Sequence, residues 1–285
     1  LKLCDHIVFN SFGQWKKYRQ QVQDATRNIS CGIRINPGYA EVETDLYNPC
    51  ISGSRMGVPL EQMEDDDFAG LDGIHFHTMC EQNSDVLDRT LDHMLPQFDK
   101  WLKRCKWVNF GGGHHITRPD YDVERLVRCI ERVRDTYGVQ VYLEPGEAVA
   151  LNAGYLVATV LDVVHNGMDI AILDTSAACH MPDVLEMPYR PPLFAAAEPG
   201  EKPCTVRLAG PTCLAGDVIG DYGVDAVPNV GDLLVFGDMA IYTTCKNNTF
   251  NGMPLPAIFA RAASGTTRSI VSFGYEDFKY RLGKR

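Results

Sequence analysis

The sequence predicts an α/β domain with parallel strands over residues 1–153, followed by a mainly antiparallel β domain over residues 154–285. Three observations point there. In the first half, short apolar runs alternate with stretches whose apolar residues recur at three- and four-residue steps, strand and helix in turn. Such alternation implies parallel strands joined by crossover helices. After about Gly154 the texture changes to runs of β-formers separated by glycine and proline.

The first five strands are expected at residues 6–10, 30–36, 73–77, 107–111 and 140–144. Helices are expected at 12–25, 85–102 and 121–137, the last with Asp120 as N-cap and Gly138 as its stop. An open doubly wound sheet and a β/α barrel would both satisfy this pattern. In the second half, strands are expected at 156–164, 169–174, 205–210, 232–236 and 269–273, around proline-dense segments at 187–192 and 195–203, with helices nearly absent.

With 285 residues, 45% of them hydrophobic, the chain has ample material for a large core or two. A net charge of −10 excludes a phosphate-backbone partner, which needs a basic surface, and suits a cationic small molecule such as a polyamine. No apolar run approaches the length that crosses a bilayer, so no membrane partner is expected. Ten scattered cysteines without a CxxC pair read as reduced thiols in a cytoplasmic protein rather than as a disulfide framework or a metal site.

Five motifs carry chemistry. Gly111-Gly112-Gly113-His114-His115 follows a strand, where bare backbone amides suit a phosphate; alone it is equally a turn. Glu144-Pro145-Gly146-Glu147 places carboxylates at the carboxyl edge of the sheet, where such folds put active sites, although a helix start reads the same way. His75 and His77 end another strand on one face by alternation, as structural histidines or functional ones. Gly210-Pro211-Thr212-Cys213, with Asp217 beyond, sets a thiol on a shaped loop, where an inert cysteine is the plainer reading. Finally, Tyr242 in Ala240-Ile241-Tyr242-Thr243, followed by Phe250-Asn251-Gly252, reads as a core tyrosine when taken alone.

Taken together and in this order, the five motifs resemble the alanine-racemase-like (fold type III) decarboxylases that use pyridoxal 5′-phosphate, which include ornithine, arginine and diaminopimelate decarboxylases. The resemblance covers the chain from His6 onward. It implies a cofactor-binding (β/α)8 barrel of TIM type, N-terminally incomplete here, ahead of the β domain. It also implies that His77 stacks on the cofactor ring, that Gly111, Gly112, Gly113 and Tyr242 bind its phosphate, and that Glu144 binds the pyridine nitrogen. Cys213 would reach the active site of the partner subunit of a homodimer, making Cys213, His77 and Glu144 the catalytic set.

Within the family, the stretches 32–37, 76–81, 113–117, 178–183 and 186–191 are most similar to the carboxynorspermidine/carboxyspermidine decarboxylases of spermidine biosynthesis. Glu147 stands where ornithine and diaminopimelate decarboxylases carry arginine, and Leu214 where they carry an acid. That exchange implies a longer substrate with more amino groups, contacted at Asp174, Glu147 and Asp217. The resemblance also implies an early Schiff-base lysine, which none of Lys2, Lys16 and Lys17 matches in context, so the segment bearing it is expected to be missing. The alternatives are a diaminopimelate- or ornithine-type decarboxylase and an inactive paralogue that acts by binding.

Overall fold

Strands β1 (His6–Phe9), β2 (Ser30–Asn36), β3 (Val58–Pro59), β4 (Gly73–His75), β5 (Trp107–Asn109) and β6 (Gln140–Tyr142) form one sheet in the computed structural model, which describes residues 1–283. The order is β1-β2-β4-β5-β6, with every pair parallel and β3 lying against β2. A doubly wound sheet reverses its strand order part-way, whereas a barrel adds strands in sequence. The sequential order therefore selects the barrel of the two arrangements that the alternation allowed. This sheet belongs to the first of two units, Leu1–Val149 and Ala150–Arg285.

Alternation along each strand gives the sheet two different faces. Ile33, Ile74 and Val108 turn to the helical side and are wholly buried. They belong to one core with Leu87, Leu91, Met94 and Phe98 of helix α2 (Ser84–Leu102) and Val133 of helix α3 (Val123–Tyr137). Helix α1 (Phe12–Gln23) starts at Ser11, whose Oγ accepts the Gln14 amide at 3.2 Å, and buries Phe12 and Trp15. It stops two residues short of the expected end, at Asp24.

The N-cap of α3 is Asp122, not the expected Asp120. Asp122 Oδ1 accepts the Arg125 amide at 2.9 Å, while Asp120 accepts from the Arg118 guanidinium in an exposed pair. The Tyr121 amide closes a turn on Arg118 O at 3.1 Å, which keeps this segment out of the helix. At the other end Gly138 takes the left-handed conformation (φ 66°) and donates its amide to Arg134 O, as expected of a glycine stop. Helix α4 (Gly146–Ala150) follows β6.

On the inner face, Gly32, Gly73 and Trp107 are register neighbours on three adjacent strands. A Cβ added at Gly73 would meet the Trp107 indole at 2.2 Å, and one at Gly32 would meet it at 2.3 Å. The indole thus lies flat across two bare backbones, anchored by its N–H donating to Ser30 Oγ at 2.8 Å. One step up each strand comes the row Arg34, His75, Asn109, Tyr142, again in register.

In the second unit, β7 (Leu156–His165), β8 (Asp169–Leu173), β9 (Cys204–Ala209), β10 (Val218–Val224) and β11 (Leu233–Phe236) pair in the order β10-β9-β8-β7-β11. All pairs are antiparallel except β8 with β9, whose parallel alignment needs the long connection between them. Their inner residues, among them Val160, Leu173, Val206, Leu208, Tyr222 and Phe236, make the second core. Helices are more frequent here than expected: α5 (Ala177–His180), α6 (Asp183–Glu186), α7 (Tyr242–Cys245) and α8 (Tyr275–Leu282). The first three have four residues each, too few to show a period. Strand β10 was masked by its glycines. Gly223 exchanges both backbone bonds with Ala197 at 2.9 Å, and a Cβ there would lie 2.4 Å from Glu198 O. A hairpin of β12 (Ile258–Arg261) and β13 (Thr267–Val271) completes the unit, two residues earlier than expected for β13.

Gly73→Ala should lower unfolding stability by roughly 2 kcal/mol through overpacking against Trp107, read as a fall in the urea midpoint at unchanged m-value.

Candidate active site

Three of the expected strands are shorter than the apolar pattern suggests, and the difference falls on the chemical residues. β4 ends at His75, β5 at Asn109 and β6 at Tyr142. His77, the three glycines and Glu144 therefore sit just past the strand ends, in loops at the carboxyl edge of the sheet. Backbone bonds continue the sheet pattern into them: Phe76 N–H to Asn109 O, Phe110 N–H to Tyr142 O, and Glu144 N–H to Gly111 O at 2.8 Å.

Glu144 reaches back to the registered row beneath it. Asn109 Nδ2 donates to its Oε1 at 2.8 Å, and His75 Nε2 lies 3.4 Å from its Oε2. His75 first and then Asn109 hold the carboxyl down to about 2, against the desolvation of a half-exposed group. A carboxylate in this position stays ionised throughout the neutral range. Asn109 has a second task, since its Oδ1 accepts the Gly111 amide at 2.8 Å.

His77 is oriented by the glycine loop. The Gly112 amide donates to His77 Nδ1 at 2.9 Å, so the ring proton of the neutral imidazole resides on Nε2. Burial, with Arg34 and His75 nearby, holds the ring below the ordinary histidine range, which favours that neutral form. Arg34 Nη2 also donates to His77 O at 3.4 Å. The glycines are needed for closeness: a Cβ at Gly112 would lie 3.0 Å from His77 Cε1 and 2.8 Å from Glu144 O. One at Gly113 would lie 2.1 Å from Met79 O, and Gly111 and Gly113 have φ of 70° and 83°. Of the three amides expected to face a phosphate, those of Gly111 and Gly112 are thus engaged by Asn109 and His77. Next in the chain, His114 is buried and lowered to about 4 by desolvation, and its Nε2–H donates to Phe110 O at 3.3 Å. Glu147 lies in the first turn of α4, and its charge, after burial and Glu81, helps push the Cys80 thiol up to about 11.

The first unit therefore brings together His77, Gly111, Gly112, Gly113 and Glu144. Glu147 belongs to this unit as well, and Asp174, Cys213, Asp217 and Tyr242 belong to the second. Asp174 follows β8, exposed, with Oδ1 accepting the Thr159 amide at 2.7 Å. Tyr242 opens α7 and is exposed. Cys213 is exposed on the loop between β9 and β10. Asp217 has a different setting from the substrate contact expected of it. It is buried, and its oxygens accept from Ser176 Oγ, the Ala178 amide and Thr212 Oγ1 at 2.7–3.1 Å. With its acceptor sites taken inside the protein, it organises two loops.

Sequence reasoning missed Asn109 and Arg34. Their signal was a polar residue inside an apolar strand run, Val108-Asn109-Phe110 and Ile33-Arg34-Ile35. A phosphorylated pyridine ring fits the donor set of the first unit. An ionised, half-exposed carboxylate suits a protonated ring nitrogen, and a neutral imidazole fixed at one nitrogen suits contact with a flat face. His75 Nδ1 and both ring nitrogens of His115 are buried without a hydrogen-bond partner among the described residues, and the first of these leaves further polar capacity in the row.

Residues 20–240 match the family described as "Pyridoxal-dependent decarboxylase, C-terminal sheet domain". The carboxynorspermidine/carboxyspermidine decarboxylase of Campylobacter jejuni is 43% identical over 98% of this chain and 75% of its own length. The carboxyaminopropylagmatine decarboxylase of Synechocystis is 41% identical over 99% of this chain and 73% of its own length. The crystal structure of the Campylobacter jejuni carboxynorspermidine decarboxylase complexed with norspermidine superposes with a TM-score of 0.88 at 40% identity, covering 98% of this chain and 76% of that one. Helicobacter pylori diaminopimelate decarboxylase shares the fold, with a TM-score of 0.78 at 18% identity over 96% and 72% of the two chains. The chain belongs to the pyridoxal-dependent decarboxylases, in the group that holds the carboxynorspermidine/carboxyspermidine decarboxylases.

Proposed function

We propose that the chain decarboxylates carboxynorspermidine and carboxyspermidine, giving norspermidine and spermidine in polyamine biosynthesis. The observation that carries this reading is Glu144, ionised and held by His75 and Asn109 beside the neutral ring of His77. The substrate rests on the Campylobacter jejuni relative, named for both carboxylated triamines, and on its structure with norspermidine. A net charge of −10 favours a cationic substrate.

Pyridoxal phosphate, when bound, supplies the electron sink for the pair left behind as carbon dioxide departs. Glu144 keeps the pyridine nitrogen protonated by pairing with it. His77 supports one face of the ring, and the Gly111–Gly113 loop and Tyr242 bind the phosphate. Cys213 protonates the substrate carbon in the neighbouring subunit's site of a homodimer. Asp174 and Glu147 face the distal amines. None of Lys2, Lys16 and Lys17 stands in the sequence context expected of the covalent link to the cofactor; on α1, Lys16 is ion-paired with Asp67 and Lys17 stands over the Tyr18 ring. No helix among the described residues is long and apolar enough to cross a membrane, and all ten cysteines are free thiols, which supports a cytoplasmic location.

Carbon dioxide release from a substrate panel tests the assignment. Carboxynorspermidine or carboxyspermidine should exceed meso-diaminopimelate and ornithine in kcat/KM by about 100-fold or more, the margin a built polar site provides. Equal or greater turnover of either amino acid removes the assignment, and carboxyaminopropylagmatine belongs in the panel because a relative is named for it. A second prediction concerns pH. Glu144 is lowered from 4.5 to about 2, so its ionised form is lost only as pH falls through that lower value. Asn109→Ala removes one of its two donors and should move the acid limb of the kcat profile upward, with little change on the alkaline side.

A further inference from the structure

We propose that Asn251 is a positioning residue for Cys213, its side-chain amide fixing the thiol and stabilising the sulfur once the proton has gone. The inference rests on the assignment of Cys213 as the proton donor and deepens it. Asn251 Nδ2 donates to Cys213 Sγ at 2.7 Å across 38 residues of sequence. A sulfur that accepts this bond turns its own S–H away from the amide, so the contact restricts both the side chain and the direction of its hydrogen.

The backbone at Asn251 is left-handed (φ 55°, ψ 23°), in a 3-10 turn over Phe250–Gly252. Asparagine and glycine both tolerate that conformation, but only asparagine brings a donor.

Both sides of the contact are tied to the same short segment, Thr175 to His180. On the cysteine side, Asp217 accepts from Ser176 Oγ, the Ala178 amide and Thr212 Oγ1, and Thr212 Oγ1 accepts the Leu214 amide at 3.4 Å. Gly210 is required for this closeness, since a Cβ there would lie 2.2 Å from Asp217 Oδ2. On the asparagine side, Asn248 donates its backbone amide to Cys179 O at 3.0 Å and Nδ2 to Ala178 O at 2.9 Å. His180 Nε2–H donates to Pro254 O at 2.9 Å, and its Nδ1 accepts the Thr175 hydroxyl at the same distance. Thr175, Ser176, Cys179 and His180 are buried. An exposed thiol is thereby held between two loops that share one buried anchor.

The chemistry balances within the assigned reaction. The S–H bond of Cys213 breaks and its electron pair stays on sulfur, while the pair left on the substrate carbon by carbon dioxide forms the new C–H bond. The thiolate then accepts the Asn251 N–H as a charge-assisted bond, stronger than the one the thiol accepts. Solvent returns the proton to sulfur.

Three variants in the protein separate the possibilities: Asn251→Gly, which keeps the left-handed turn and loses the amide; Asn251→Asp, which keeps the shape and replaces the donor with an acceptor; and Cys213→Ala. The readouts are iodoacetamide alkylation of the Cys213 peptide over a pH series, with the exposed Cys4 and Cys245 as internal references, and kcat and KM for the carboxylated triamine substrate. Asn251→Gly should slow Cys213 alkylation about tenfold at neutral pH and lower kcat by a similar factor at unchanged KM, with Asn251→Asp more affected, as expected for loss of one hydrogen bond to a charged group. Unchanged Cys213 alkylation and kcat in Asn251→Gly, with Cys213→Ala inactive, overturns the positioning role alone. Full turnover in Cys213→Ala overturns the proton-donor assignment itself.

Discussion

The hold of His75 and Asn109 on the Glu144 carboxylate is the interaction on which the rest of the first unit depends. Parallel strands in register bring Arg34, His75 and Asn109 to one level of the sheet, and the chain past β6 returns its own carboxylate onto that row. The level below is closed by the Trp107 indole lying across Gly32 and Gly73. A charged group needs partners already in place if it is to stay charged while partly desolvated. Here they come from neighbouring strands, so sheet register sets the charge state of Glu144.

The glycine run belongs to the same construction. Its three residues let the loop come close to His77, Glu144 and Met79, and two of its amides orient the side chains of Asn109 and His77. A cradle for phosphate and a clamp for His77 make the same demand for missing Cβ atoms. The sequence therefore shows that glycine is needed without showing which use dominates.

The barrel strands were legible because buried parallel strands carry apolar runs, and β2 coincides with its expected range. Where the runs overshot, at residues 76–77, 110–111 and 143–144, the extra residues pack like strand but bend into the site loops. Periodicity cannot separate those two states. The N-cap of α3 was placed at the wrong one of two aspartates, because the buried Tyr121 ends a turn that only tertiary packing reveals. In the second unit, β10 was hidden by glycines that serve close backbone approach, and α5 by its length. Glu144, His77 and the glycines could be named as single residues from the motifs. Asn109, Arg34 and Asn251 could not, because each acts through a contact across 35 or more residues. Asp217 was visible as a motif residue but not as a buried anchor, since burial of a carboxylate depends on donors supplied by Ser176, Ala178 and Thr212.

Two kinds of order thus serve the chemistry. In the first unit, regular strands set the charge of Glu144 and the glycine loop sets the tautomer of His77. In the second, short loops tied to one buried segment hold a thiol. The most direct measurement of the central claim is the 15N resonance of pyridine-15N-labelled pyridoxal phosphate bound to the protein. The account predicts a protonated ring nitrogen in the wild-type protein and an unprotonated one in Glu144→Gln. An unprotonated nitrogen in the wild type, or a protonated one in both proteins, would contradict it.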